Sequence, residues 1–160
     1  MKYIFSLNPF VQLILSGILI GIAYYPLNVG FLTLIGFIPL LNVFCNGTIK
    51  DNVTSGYIFG LVYNLTAFYW IGANSGASFL TVISSLIAAV LYLSLYWSFV
   101  GFLFSIVSEN WSKYAGSFLL PIIIVTMEWI RSFGPLGFPW SNLALTQSKY
   151  IYLIQIMEIT

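Results

Sequence analysis

The sequence predicts an all-α polytopic membrane protein, a bundle of five complete transmembrane helices followed by the start of a sixth. Three observations carry that expectation. Hydrophobic residues fill 60% of the 160 positions and charged residues 6%, with a mean hydropathy of +0.98. A water-soluble domain has about 25% charged residues, so five Lys and Arg plus four Asp and Glu cannot cover a soluble surface. Apolar runs of near-membrane length then recur along the whole chain, separated by short polar or Pro- and Gly-bearing breaks.

The first run includes VQLILSGILIGIAYY and follows Lys2. No small-x-small cleavage site precedes Pro26 and more apolar segments follow, so an uncleaved helix of about 17 residues is expected rather than a signal peptide. Gly17 and Gly21 form a GxxxG that suits close helix packing, though Gly is common in membrane helices anyway. Tyr24 to Gly30, YYPLNVG, is a break: proline ends the helix, Asn and Gly suit a turn, and the two tyrosines fit an interfacial belt.

Phe31 to Cys45 forms a short second run interrupted by Pro39, so a kinked or barely spanning helix is expected. Residues 46–52, NGTIKDN, read as an aqueous loop. The third run, Val53 to Ile71, repeats the GxxxG spacing at Gly56 and Gly60 and holds Asn64 and Thr66 inside it. An amide at that depth needs a partner, which places Asn64 toward the bundle. The run closes on Phe68-Tyr69-Trp70, and residues 72–78 form a small-residue loop.

The fourth run, Phe79 to Val107, would be roughly 43 Å long as a helix and must tilt or protrude. After the charged loop 108–114, a fifth run extends from Ala115 to Ile130 with Pro121 inside it. A sixth opens at Tyr150 and stops at Thr160. If the helices alternate, Lys2, Lys50 and Lys113 fall on one side and Arg131 and Lys149 on the other. That bias favours a cytoplasmic N-terminus and an outer-face loop at 134–148.

Charge and residue inventory exclude several functions. A net charge of +1 without a basic block argues against nucleic acid as a partner. Histidine is absent, which removes His-dependent triads, zinc-protease motifs and haem ligation by His. One cysteine, Cys45, allows no internal disulfide and no multi-cysteine metal site. Only Lys50 and Asp51 lie near it in sequence and no lipobox precedes it, so it reads as an inert membrane cysteine. The Asn-x-Ser/Thr matches at Asn46, Asn52, Asn64 and Asn110 read as chance. No metal-ligand set, cofactor motif or catalytic constellation is visible.

Polar and helix-breaking chemistry concentrates from Glu128 to Gln147, EWIRSFGPLGFPWSNLALTQ. Glu128 and Arg131, spaced i,i+3, share one helix face. They read either as a self-neutralising structural pair or as a polar anchor that orients the loop or meets a lipid headgroup. Gly134-Pro135-Leu136-Gly137 and Phe138-Pro139-Trp140 cannot continue a regular helix, and they present two large rings on a stiff backbone. Aromatic-belt anchoring alone accounts for a Trp there but not for the clustered Pro, Gly and Arg. Gln147 completes the polar set.

These residues resemble a known family. E-W-I-R, then G-F-P-W, then Gln147 leading to a helix with Gln155 and Glu158, is similar to the membrane region of apolipoprotein N-acyltransferases. The AYYPLNVGFLTLIGFIPLL stretch resembles that family's first helix pair, and Phe68-Tyr69-Trp70-Ile71 the close of its third helix. The resemblance covers essentially the whole chain, and makes residues 1–160 an N-terminal transmembrane domain.

It implies a bacterial inner-membrane enzyme that takes an acyl chain from a phospholipid, holds it as a thioester and passes it to the α-amino group of a lipoprotein's diacylglyceryl-cysteine. Membrane phospholipid as donor and apolipoprotein as acceptor are therefore the implied partners. The chemistry belongs to a nitrilase-like domain with a Glu-Lys-Cys triad, which no position here can inherit. The chain is accordingly expected to be a truncated reading frame, inactive alone. In the full enzyme, Phe138, Pro139 and Trp140 would line the membrane-side mouth. The alternative is a non-catalytic scaffold or anchor, for example for a polyprenyl-phosphate sugar transferase. A small transporter is a third reading, without the mid-membrane charges or internal repeats that transporters usually show.

Overall fold

Serine, threonine and asparagine at the run boundaries set where the helices begin. In the computed structural model, which describes residues 7–24, 26–27, 29–150, 152 and 155, the first helix, α1, covers Pro9–Gly21. Asn8 caps it by accepting from Phe10 N, and Pro9 stands at the first turn, where no N–H is missed. The second, α2, is Phe31–Asn46. The third, α3, is Ile49–Phe68, continued by a 3₁₀ turn at Tyr69–Ala73. The fourth, α4, is Phe79–Asn110, capped by Ser78, and the fifth, α5, is Lys113–Arg131, capped by Ser112. Two further 3₁₀ turns, Pro139–Ser141 and Leu143–Gln147, follow. Among the described residues there is no strand. Lys2, Tyr25, Asn28, Glu158 and most of the sixth run lie outside them.

Two expectations need correction, and a third is met only in part. The loop expected at 46–52 is mostly helix, because Thr48 and Asp51 form a capping box that starts α3 at Ile49. Pro39 does not interrupt α2, nor Pro121 α5. Each proline forfeits only one ladder hydrogen bond, and the helix continues through it. The five complete transmembrane helices are not what length and composition alone support. Only α4, at 32 residues, and α5, at 19, are long and apolar enough to cross a membrane among the described residues. α1 and α2 are shorter apolar helices, and α3 carries Lys50, Asp51 and Asn52 in its first turn.

Specific contacts give the helix directions. Ser16 Oγ donates to Gly36 O, and Asn42 Nδ2 to Gln12 Oε1 at 2.8 Å, so α1 and α2 run antiparallel. Asn52 Nδ2 donates to Ser105 Oγ at 2.9 Å and Asn64 Nδ2 to Ser94 Oγ at 3.4 Å, so α3 and α4 are antiparallel too. α1 and α3 run parallel: a Cβ built on Gly17 would stand 2.8 Å from Val62 Cβ, and one on Gly21 2.7 Å from Thr66 Cγ2. At the α3–α4 contact, a Cβ on Gly60 would stand 3.0 Å from Ser94 Cα, and one on Gly56 would strike the Trp97 carbonyl. All loops therefore gather at two ends, one holding Lys50 and Lys113, the other the breaks near residues 24–30, 69–78 and 132–148.

Burial is unlike that of a water-soluble bundle. Leu86, Val90, Leu93, Trp97, Val100 and Phe104 form a buried seam on α4 at alternating spacings of four and three. Phe79, Leu80, Ile87, Leu91, Leu95 and Phe99 of the same helix are exposed. Gln12, Ser16, Asn52, Asn64, Ser94 and Ser105 are buried instead. The interior thus mixes polar with apolar side chains, while large apolar ones also line the outer surface. Asn52 and Asn64, 2% and 0% exposed, have no room for a glycan in this fold.

Candidate functional site

The segment after α5 does not stand away from the bundle; it folds back over one end of it. Gly134, with φ of 87°, supplies the left-handed residue that reverses the chain. Phe138 N then donates to Arg131 O and Gly137 N to Gly134 O, both at 2.9 Å. Beyond Gly134 the chain forms only the two short 3₁₀ turns, and it is tied down residue by residue.

Glu128 and Arg131 supply the first ties. Glu128 Oε1 accepts from Leu143 N at 2.8 Å, and Arg131 Nη2 donates to Asn142 Oδ1 at 3.4 Å. The two side chains share a helix face yet do not meet as an ion pair, since each reaches into the loop. Arg131 is 3% exposed, and its Nε has no protein acceptor among the described residues.

Tyr24, after α1, and Tyr63, on α3, supply the next. Their hydroxyls lie 2.6 Å apart and 3.0 and 3.2 Å from the Ser141 carbonyl. Two phenols hold two protons, so one bonds the other and only one at a time bonds the carbonyl fully. Removal from water, and then the second phenol beside it, push the Tyr24 hydroxyl well above its ordinary value, which keeps it a neutral donor. Thr33 Oγ1 donates to Thr146 Oγ1 at 3.1 Å, and Gln147 Nε2 to Gly30 O at 2.9 Å, which fastens the end of the loop to the start of α2.

The aromatic residues of the loop divide between inside and outside. Phe138 is half-buried, edge-on to Phe68 with ring centres 5.0 Å apart. Pro139 and Trp140 are exposed, Trp140 by 61%, and the Trp140 ring lies 6.3 Å from that of Trp70. Beside them is a cleft of about 760 Å³ lined by Tyr24, Pro26, Tyr69, Trp70, Trp140 and Leu145. A second, more apolar groove of about 670 Å³ lies between α2 and α5, among Leu34, Phe37, Leu120, Pro121, Val125 and Trp129, with Glu128 and Asn142 at its loop end.

All six residues singled out in the sequence thus lie in or under one loop: Glu128, Arg131 and Gln147 as ties, Phe138 as a wedge, Pro139 and Trp140 as its exposed tip. Sequence reasoning passed over Tyr63, Thr33, Ser141 and Thr146. Nothing local distinguishes Tyr63 from the other tyrosines in apolar runs. Thr33 alone, a hydroxyl in an apolar run, carried a usable signal. Cys45 is half-buried with its Sγ 3.5 Å from Ser117 Oγ, toward the opposite end. The loop brings together no nucleophile and base. Its chemistry is that of a rigid, aromatic-edged rim, able to bind and position.

The structure so defines a class: an all-helical bundle, two of whose helices are long and apolar enough to cross a membrane, closed at one end by a pinned aromatic loop. The chain belongs to the apolipoprotein N-acyltransferase N-terminal domain family, whose model matches residues 16–160. It is similar to the apolipoprotein N-acyltransferase of Geobacter metallireducens, at 29% identity over 155 residues. That match covers 94% of this chain and 29% of the relative, so the chain spans under a third of that protein's length.

Proposed function

We propose that residues 1–160 form the N-terminal membrane domain of a bacterial apolipoprotein N-acyltransferase, which moves a fatty acyl chain from phospholipid to the N-terminal diacylglyceryl-cysteine of lipoproteins. The family match over residues 16–160 carries the reading. In it, these residues bind and position, and acyl transfer is done by groups outside them. No residue here takes a catalytic role.

All five helices cross the inner membrane in this reading, α1 and α2 as short spans and α4 with its ends in the interface. The polar side chains inside and the large apolar ones on the surface support it, because lipid solvates the outer face at no cost while buried amides and hydroxyls bond across helices. Gly17, Gly21, Gly56 and Gly60, together with Gly36 and Gly101, let the helices approach closely in this reading. The excess of Lys2, Lys50 and Lys113 over Arg131 and Lys149 favours a cytoplasmic N-terminus, which in this reading leaves Glu128–Gln147 on the outer face. Cysteines placed at Lys50 and at Trp140 test this: a membrane-impermeant thiol reagent applied to intact cells should label only the second.

Trp140, Trp70 and Tyr69 edge the outer cleft, which serves as the membrane-side mouth through which lipid reaches the catalytic part. In the full-length enzyme, Trp140→Ala should lower N-acylation of a lipoprotein, read by mass spectrometry of its N-terminus, by about tenfold or more through misplacement of substrate, with insertion unchanged. Unaltered acylation would reduce the loop to an interface anchor. Absence of N-acylation by the unmodified enzyme would leave the scaffold reading.

A further inference from the structure

Beneath the loop, a small cavity lies between α4 and α5, lined by Tyr96, Trp97, Val100, Met127, Glu128 and Arg131. Its room is about 10 Å³, close to the lower bound for one water molecule and far too small for a phosphate or carboxylate group. Arg131 is 3% exposed, its one protein hydrogen bond from the guanidinium is a long 3.4 Å, and its Nε–H has no protein acceptor among the described residues. A buried guanidinium cannot shed its charge and must find acceptors. Glu128, on the same face, spends one carboxylate oxygen on Leu143 N. Tyr96 Oη lies 2.9 Å from Tyr92 Oη, and by donating there it keeps a lone pair for another donor.

We propose that this cavity is a binding site for one water molecule, which accepts from Arg131 Nε–H and donates to the second carboxylate oxygen of Glu128. Its other hydrogen goes to Tyr96 Oη, completing the three bonds typical of a buried water. The water joins two charges that do not touch into one bridged pair and links α4 to α5. It also fixes the guanidinium plane from which Nη2 reaches Asn142, so Arg131 and Glu128 act as positioning residues for the loop. None of this depends on the acyl-transfer reading.

The sign of a cavity-filling substitution tests the site. Val100 is 2% exposed and lines the cavity, and Val100→Ile adds a methyl group there. Filling a dry apolar void stabilises, whereas expelling a bridging water strands the guanidinium. For the full chain in detergent, Val100→Ile should lower the Tm by about 3–6 °C. In an Arg131→Met, Glu128→Met background, the same change should be neutral or raise the Tm. A higher Tm in the unmodified background, or an equal fall in both, overturns the proposal. Should the double variant not fold, a structure of the unmodified chain at water-resolving resolution decides. It should show one peak within hydrogen-bond distance of both Nε and the Glu128 carboxylate; a direct contact between the two side chains, with the cavity closed, refutes the site.

Discussion

The hydroxyls of Tyr24 and Tyr63 lie 2.6 Å apart and share the carbonyl of Ser141, a residue 117 positions from the first and 78 from the second. One oxygen on the loop thus fastens the end of α1 to the middle of the bundle. Tyr63→Phe keeps the stacked ring against Phe59 and removes only the hydroxyl. It should cost about 1 kcal/mol, a Tm fall of about 2–4 °C. Tyr24→Phe should cost a similar amount and the double variant more than the sum, because either phenol alone can serve Ser141 and only the double variant strands its carbonyl. Additive losses in thermal unfolding would show that the two act independently.

Glu128 holds the loop through one backbone amide. Glu128→Ala should strand Leu143 N–H and loosen residues 142–147, at a cost of about 1.5–3 kcal/mol. Glu128→Gln keeps an acceptor at the same place and should lose much less. Amide hydrogen exchange read at Leu143 distinguishes them: fast in the first variant, near the original rate in the second.

Gly56 and Gly60 differ in how closely the α4 backbone faces them, which ranks their substitutions. A Cβ at Gly56 would meet the Trp97 backbone carbonyl, and one at Gly60 would meet Ser94 Cα at 3.0 Å. Backbone cannot swing aside, so Gly56→Ala forces α3 and α4 apart and should cost about 1–3 kcal/mol. Gly60→Ala should cost less. Thermal unfolding of the two variants side by side checks the order.

Asp51 lies in the first turn of α3, ahead of the apolar span. Its carboxylate accepts from Thr48 N at 3.0 Å and from Thr48 Oγ1 at 2.7 Å, and these bonds hold its pKa below the ordinary Asp value. A depressed folded pKa means that the capping box stabilises above the ordinary Asp value of about 4, and that this contribution fades as pH falls through the lower, folded one. Amides of residues 51–53 should therefore exchange faster, relative to the rest of α3, as pH drops below about 4. Asp51→Asn should abolish that dependence, and a dependence that survives it would assign the effect elsewhere.

The family and its loop were legible in the primary structure because their signals are local. Apolar runs, prolines, glycines and the E-W-I-R and G-F-P-W spacings lie within a few residues of one another. A helix bonds to itself, so a run of suitable composition declares it without knowledge of its neighbours. The capping box at Thr48 and Asp51 was equally local and went unread in favour of a polar loop, because composition outweighed a two-residue signal. Pro39 differs: it interrupts the apolar run in the sequence, yet α2 continues through it as a single helix.

What only the tertiary structure decided is where each polar group of that loop goes. The i,i+3 spacing of Glu128 and Arg131 offered a mutual pair, and the fold sends one to Leu143 N and the other to Asn142. Tyr63, Thr33 and Gly30 joined the site from 78 to 117 positions away. Such contacts follow from the direction and closeness of packed helices, which depend on side chains meeting across the bundle and leave no period or motif in any one segment. The sequence alone determined that a stiff, aromatic, polar segment follows the fifth helix. That it folds down over four helices, around a buried arginine, was decided by packing.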